Sequence, residues 1–323
     1  MSHPFGTPEG PSSDRPRLAP TDKRYVRFPP GSNVYVPIGP PRAASTALGI
    51  YSACQRKGVV AQHLAWLSTR LVGGRILPGR PVGPPEGLTP EVLDPLLAEW
   101  TNAWPAVGRA RHWGFYSRPH ESWSAFAMLL EDESGRPLAF AKCHKDSDGV
   151  VRELRALERL TPGSPGFSAP RPYASGATEH WSWLLMEALP EGPHRPAQLG
   201  GGGRLTDVCA AVATALADIP KGEDVPPHWS PMHGDLTPWN VRRLRRTTWL
   251  LDWEAAAYGP PHADEVRWIS TATAAGMRVP RVDTDTVGEA VRFWRATIAA
   301  IAAKHPLSSL DRDIDAALVG LQR

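Results

Sequence analysis

The sequence predicts an α+β fold in two lobes, preceded by a mainly helical N-terminal extension. Three observations lead there. Between His112 and Cys143, β-rich runs follow one another across a hairpin turn at Glu133-Ser134-Gly135, the pattern of an antiparallel sheet. Helical periodicity dominates before Ala110 and again after Leu205. Between them, residues 232–258 (MHGDLTPWNVRRLRRTTWLLDWEAAAY) place polar and acidic side chains in a proline-interrupted loop that runs into a strand.

Size and composition bound the reading. With 323 residues, 41% of them hydrophobic and 21% charged, the chain can bury a sizeable core, while 35 prolines and 29 glycines imply many loops. A net charge of +3 gives no case for a nucleic-acid partner. The one dense basic cluster, Arg242-Arg243-Leu244-Arg245-Arg246, reads as a solvated turn between two strands or as an anion-facing edge. Cys54, Cys143 and Cys209 are odd in number, far apart and lack metal-ligand spacing, which predicts buried or free thiols in a reducing compartment, with the cytoplasm as the expected location. No basic-then-apolar leader and no apolar run of membrane-spanning length occur, so no membrane partner is expected.

Taken in order, residues 1–20 are rich in Pro, Gly and Ser and predict a flexible tail. Residues 21–109 form the helical extension. Within it, Val60, Leu64, Leu67 and Leu71 recur at helical spacing over 43–71 and predict a packing face, with Gly73-Gly74 as the stop. Residues 78–85 read as a linker, and Thr89-Pro90 as the cap and first position of another helix. The small lobe, 110–189, holds strands at 112–117, 123–131 and 137–143, a helix at 150–160 and a strand at 181–186. The large lobe, 190–323, carries a helix at 205–220, a strand at 247–251, and a last helix whose Val287, Val291, Trp294, Ile298 and Ile301 form an apolar stripe.

The chemistry concentrates in the loop. Phosphoryl transfer needs a carboxylate to accept the proton of the attacking hydroxyl and oxygen ligands that fix Mg²⁺ on the phosphates. Asp235 fits the first role. Asn240 and Asp252 offer one neutral and one charged oxygen, a hard pair suited to Mg²⁺ and poorly suited to zinc. Taken singly, His-Gly-Asp is a common turn sequence and an Asp after a strand is an ordinary cap. In this order, with a strand between them, they form a specific pattern.

HGDLTPWN followed by LLDWE resembles the catalytic and metal-binding loops of the aminoglycoside phosphotransferase and choline kinase-like family, whose fold is similar to that of protein kinases. The resemblance covers about residues 110–300. It implies that Asp235 is the catalytic base, that Asn240 and Asp252 bind Mg²⁺, and that His233 supports the loop. RELRALERL resembles the family's ion-pairing helix, so Lys142 with Glu153 would orient the α- and β-phosphates. The residues alone also allow Lys142 as a snorkelling strand end, with Lys145 as its competitor. The strand before Glu187-Ala188-Leu189 resembles the hinge. There the backbone of Glu187 and Leu189 would meet the base of ATP or GTP, and Met186 would line the pocket; a buried strand followed by a turn is the plainer reading. The expected phosphate-covering connection, 118–122, lacks glycine, which departs from protein kinases and turns attention to Ser122 and Ser124. Asp264 either caps the next helix or braces the catalytic loop.

The expected activity is transfer of the γ-phosphate of ATP or GTP to a hydroxyl of a small molecule: a sugar, nucleoside or aminoglycoside-type natural product, with antibiotic inactivation as one outcome. Two alternatives stay open. One is a catalytically silent nucleotide-binding partner module, and the other a metal-dependent hydrolase built on His233 and Asp235.

Overall fold

The computed structural model describes residues 20–117, 125–160, 166–200, 204–280 and 285–322. The chain opens with two short strands, β1 (Tyr25–Arg27) and β2 (Val34–Pro37). Helix α1 (Pro41–Ala47) starts on a proline, whose fixed φ suits a first turn, and passes into a 3₁₀ turn at Leu48–Ile50. Helix α2 (Arg56–Val72) stops at Gly73, which takes φ 86°, and α3 (Pro90–Ala103) begins at the expected Thr89-Pro90. Strands β3 (His112–Ser117), β4 (Ala125–Glu131) and β5 (Pro137–His144) then lead to α4 (Ser147–Leu160), β6 (Pro172–Ala177) and β7 (Ser182–Met186).

The rest of the described chain carries five short strands and four helices. Strand β8 (Arg195–Pro196) and helix α5 (Arg204–Ala215) precede β9 (Ser230–Met232), β10 (Val241–Leu244), β11 (Thr247–Leu250) and β12 (Ala257–Gly259). Helices α6 (Ala263–Ala274), α7 (Gly288–Ala302) and α8 (Ser309–Gly320) follow.

The first seven strands form one antiparallel sheet in the order β1-β2-β3-β4-β5-β7-β6. Its centre, β4, is buried at every position because both faces are covered. Alternation along the strand divides the two cores: Phe126, Met128 and Leu130 join Trp100 and Leu96 of α3, whereas Leu129 joins Ala44 and Ala47 of α1 with Leu48. A third core links Leu157 and Leu160 of α4 to Leu236, Leu250, Trp253 and Trp268, and a fourth binds α6, α7 and α8.

Four features depart from the sequence reading. The extension is mainly helical as expected, yet its β1 and β2 join the small-lobe sheet, β2 pairing with β3 at Val34↔Tyr116 and Tyr35↔Phe115. Helix 43–71 is broken at 51–55, and the stripe predicted to pack is exposed instead: Val60 58%, Leu64 60%, Leu67 52%, Leu71 71%. Helix α2 docks through another face, where Gln62 and Thr69 are buried and Gln62 donates to the carbonyls of Leu48 and Tyr51. Helix α7 is not the last, because a capping box between Ser308 and Asp311 starts α8. Arg242 is fully buried on β10 and does not sit in a solvated turn; Arg245 and Arg246 make that turn. The tail expected over 1–20 lies, apart from Pro20, outside the described residues, as do Ser122 and Ser124.

Candidate functional site

The loop between β9 and β10 fixes Asp235 through its neighbours. Gly234 takes φ 79°, and a Cβ there would collide with the Ala255 carbonyl oxygen, so glycine alone lets the chain pass. Asp264, on the first turn of α6, accepts the His233 N–H at 2.7 Å and the Gly234 N–H at 3.1 Å, one on each carboxylate oxygen. Burial pushes its carboxyl up to about 6 in spite of those two donors. The His233 ring spans the loop and the strand after it. Its Nδ1 accepts the Asp235 N–H at 3.2 Å, so Nε2 carries the proton and donates to the Leu251 carbonyl at 3.0 Å. Burial lowers the imidazole to about 4, which keeps it neutral in that tautomer.

Asp235 is held from both sides. One carboxylate oxygen accepts from Arg267 Nη2 at 2.8 Å and Nε at 3.1 Å, and the other accepts from Asn240 Nδ2 at 2.8 Å. Asn240 Nδ2 also donates to the Asp235 carbonyl at 3.1 Å, so the donor end of this amide is committed and its oxygen is the ligand end. Burial raises the Asp235 pKa, and the Arg267 guanidinium pulls part of that rise back.

Asp252 follows β11 with φ 66°, a left-handed conformation that Asp tolerates better than most residues. Its carboxylate meets Lys142 from β5. Lys142 Nζ lies 2.7 Å from both oxygens of Glu153, a residue of α4 whose side chain is buried. Glu153 further accepts the Trp253 N–H at 3.2 Å, so one carboxylate ties the sheet, the helix and the turn after Asp252 together. Burial alone pushes the Lys142 ammonium down, but Asp252 and Glu153 outweigh it and hold the group above the usual lysine range. Lys145 is elsewhere, 5.6 Å above the Trp181 ring.

Carboxylate oxygens of Glu153, Asp252 and Glu254 come within 4.8 Å of one another. Glu153 holds both Lys142 and the Trp253 N–H, and Asp252 also meets Lys142, so the hard oxygens that could hold a Mg²⁺ here are those of Asp252, sharing its carboxylate with Lys142, of Glu254 and of the Asn240 amide. A cavity of about 520 Å³ is lined by Lys142, Asp235, Asn240, Asp252 and Glu254. A smaller one, about 120 Å³, is lined by Phe140, Met186, Glu187 and Leu189 and shares Lys142 and Asp252 with the first. The Glu187 N–H donates to the Arg171 carbonyl at 2.8 Å, so the group this residue can turn to a base is its carbonyl oxygen.

Sequence reasoning missed Arg267, Glu254 and the part of the extension that lines both cavities. Arg267 had a readable signal: it lies three positions after Asp264 on α6 and therefore on the same face, toward the loop. Glu254 had one as well, since it lies two positions after Asp252 in LLDWE.

An antiparallel sheet bearing a Lys142–Glu153 pair, followed by a loop and strand end bearing Asp235, Asn240 and Asp252, is the two-lobed α+β protein kinase-like arrangement. No protein-family model matches the chain, and no curated protein matches it. Among solved structures the chain is similar to two phosphotransferases and a kinase. One is a thermostable mutant of aminoglycoside phosphotransferase APH(4)-Ia in ternary complex with ADP and hygromycin B: 12% identity, 72% of this chain and 89% of that chain, TM-score 0.41. Another is an amicoumacin kinase in complex with AMP-PNP, Ca²⁺ and its Ami ligand: 12% identity, 64% and 87%, TM-score 0.41. A third is the apoenzyme of a macrolide 2'-phosphotransferase from Brachybacterium faecium: 16% identity, 71% and 98%, TM-score 0.38.

Proposed function

We propose that this protein is a Mg²⁺-dependent phosphotransferase that moves the γ-phosphate of ATP or GTP to a hydroxyl of a small molecule. The observation that carries this reading is convergence: Lys142 with Glu153, and Asp235 with Asn240 and Asp252, come from separate elements and meet at one cleft. In this reading Asp235 accepts the proton of the acceptor hydroxyl, and its raised pKa suits a base better than that of a solvated carboxylate. Lys142 orients the α- and β-phosphates, held in place by Glu153. The base lies against Met186, the Glu187 carbonyl and Leu189. Asn240 and Asp252 would hold the Mg²⁺, with Glu254 beside Asp252; when bound, the ion would supply positive charge to neutralise the β- and γ-phosphates.

Arg267 bears on the acceptor. A guanidinium against the candidate base disfavours a polycation at that point, which supports a neutral or weakly charged hydroxylated compound such as a sugar, a nucleoside or a related natural product. Antibiotic inactivation falls within that class. The test is a screen for phosphate transfer from ATP and from GTP to a panel of hydroxylated metabolites and antibiotics, read by mass, with Asp252→Ala as control. Transfer that requires Mg²⁺ and disappears in the variant is expected. Tight nucleotide binding without transfer to any acceptor would favour a silent partner module, and unchanged turnover in Asp252→Ala would remove that residue from the site.

A further inference from the structure

Both cavities at the cleft share a wall that comes from neither lobe's own elements. Ile50 and Ser52, from the 3₁₀ turn after α1 and the extended residues behind it, line the 120 Å³ cavity together with Met186 and Leu189. The same two residues line the 520 Å³ cavity that holds Asp235 and Asn240. They sit where the two spaces meet.

This wall is fastened to both lobes. On the small-lobe side, a Cβ at Gly114 of β3 would lie 2.8 Å from Ile50 Cδ1 and 2.9 Å from Ala47 Cβ, so glycine makes room for the turn beneath the sheet. Thr46 Oγ1 donates to the Gly135 carbonyl at 3.3 Å. On the large-lobe side, His194 Nδ1 accepts from Arg242 Nε at 3.0 Å, which leaves Nε2 to donate to the Gly49 carbonyl at 2.5 Å. Arg242 Nη1 donates to the Ala53 carbonyl at 3.1 Å and to the Pro238 carbonyl, in the loop of Asp235, at 3.2 Å. Burying an arginine costs free energy unless its donors are used, and here they are spent on fixing this segment against that loop.

We propose that residues 46–52 of the extension are a working part of the nucleotide site, with Ile50 closing the base cavity and the Ser52 hydroxyl reading the sugar of the nucleoside triphosphate. The proposal rests on the nucleotide-dependent reading above. A base between Ile50 and Met186, with its phosphates at Lys142, puts the sugar at the junction where Ser52 lies. Among the described residues the Ser52 hydroxyl donates to no other group, so it is available to a ribose hydroxyl.

The experiment measures calorimetric binding of Mg²⁺ with AMP-PNP, GMP-PNP and the 2'- and 3'-deoxy forms of ADP to the full chain. Ile50→Trp should fill the base cavity and weaken nucleotide binding by about tenfold or more, with circular dichroism confirming the fold. Ser52→Ala, a half-buried change that leaves packing intact, should reduce the preference for a ribose over a deoxyribose nucleotide by about three- to tenfold. Leu67→Ala, exposed on α2 of the same extension, should change neither. If the wild-type chain binds no nucleotide, the phosphotransferase reading fails and takes this inference with it. If it binds, and Ser52→Ala keeps full sugar discrimination while a folded Ile50→Trp keeps full affinity, the wall has no part in binding and only this inference falls.

Discussion

Replacing Lys142 with Met keeps an unbranched stem of similar length and removes the ammonium. Two charges 2.7 Å apart, the Nζ–Glu153 separation, attract by roughly 6 kcal/mol at an effective dielectric of about 20. Part of that is recovered as the surroundings relax, and stripping one partner from a buried pair leaves a net loss of about 3–5 kcal/mol. The pair qualifies as buried, with side-chain exposures of 12% for Lys142 and 2% for Glu153. The loss should be asymmetric. Lys142→Met leaves Glu153 and Asp252 close together and without a cation between them, whereas Glu153→Gln leaves Lys142 paired with Asp252 and still offers an oxygen to the Trp253 N–H. Urea unfolding followed by tryptophan fluorescence should therefore rank Lys142→Met as much the more damaging single change. The double variant Lys142→Met/Glu153→Gln should recover about 2 kcal/mol or more relative to Lys142→Met. Additive losses in the double variant, or Glu153→Gln costing as much as Lys142→Met, would refute the reasoning. Turnover on any acceptor found by the screen should fall in all three.

Asp235→Asn should lower transfer by about 10² to 10⁴-fold while nucleotide still binds; because the new amide nitrogen would face either Arg267 or Asn240 Nδ2, Mg²⁺ affinity measured by calorimetry should drop too. Gly234→Ala puts a side chain at φ 79° against the Ala255 carbonyl, and backbone strain alone should cost on the order of 1–3 kcal/mol, seen as a lower melting temperature together with lost turnover. Glu131, fully buried at the end of β4 and with neither carboxylate oxygen hydrogen-bonded among the described residues, has its pKa pushed well up by burial, with Glu191 and Asp132 adding to the rise. An acid with a raised folded pKa contributes stability that is complete below its unfolded pKa and is lost as pH rises toward the folded one, at about 1.4 kcal/mol per pH unit. Glu131→Gln should thus match the wild type near about pH 4 and exceed it increasingly toward alkaline pH; melting curves that diverge in the opposite direction would overturn this account.

The loop of Asp235 was legible because it depends on short-range order, a proline-bounded run between two strands, whereas the meeting of Lys142 with Glu153 was expected from the resemblance of RELRALERL to a known ion-pairing helix. What was not legible depends on what lies across space. The periodicity of Val60, Leu64, Leu67 and Leu71 says that these residues share a helix face, and nothing in it says whether another element covers that face. The burial of Arg242 is set by the register of β10 with β8 and β11, which no local pattern in a run of arginines records. β1 and β2 are three and four residues long, too short for alternation to stand out from the surrounding prolines. The wall formed by Ile50 and Ser52 has no local signature, because its role comes from chain that lies far away in sequence.

The pairing of β2 with β3 has a practical consequence for anyone who would trim the chain to its lobes. A protein shortened to begin near Ala110 would strip the neighbour from β3 and leave the backbone edge beside Phe115 and Tyr116 open to the strands of other molecules. Tyr25, fully buried against Phe115 at a ring separation of 5.3 Å, would leave a hole in the same place. With the extension present, this side of the sheet ends on a strand of three residues whose Tyr25 exchanges both backbone hydrogen bonds with Val82, so that edge is covered. Such a fragment should come out of cells as aggregate, for a reason unconnected with the cleft it was cut to isolate.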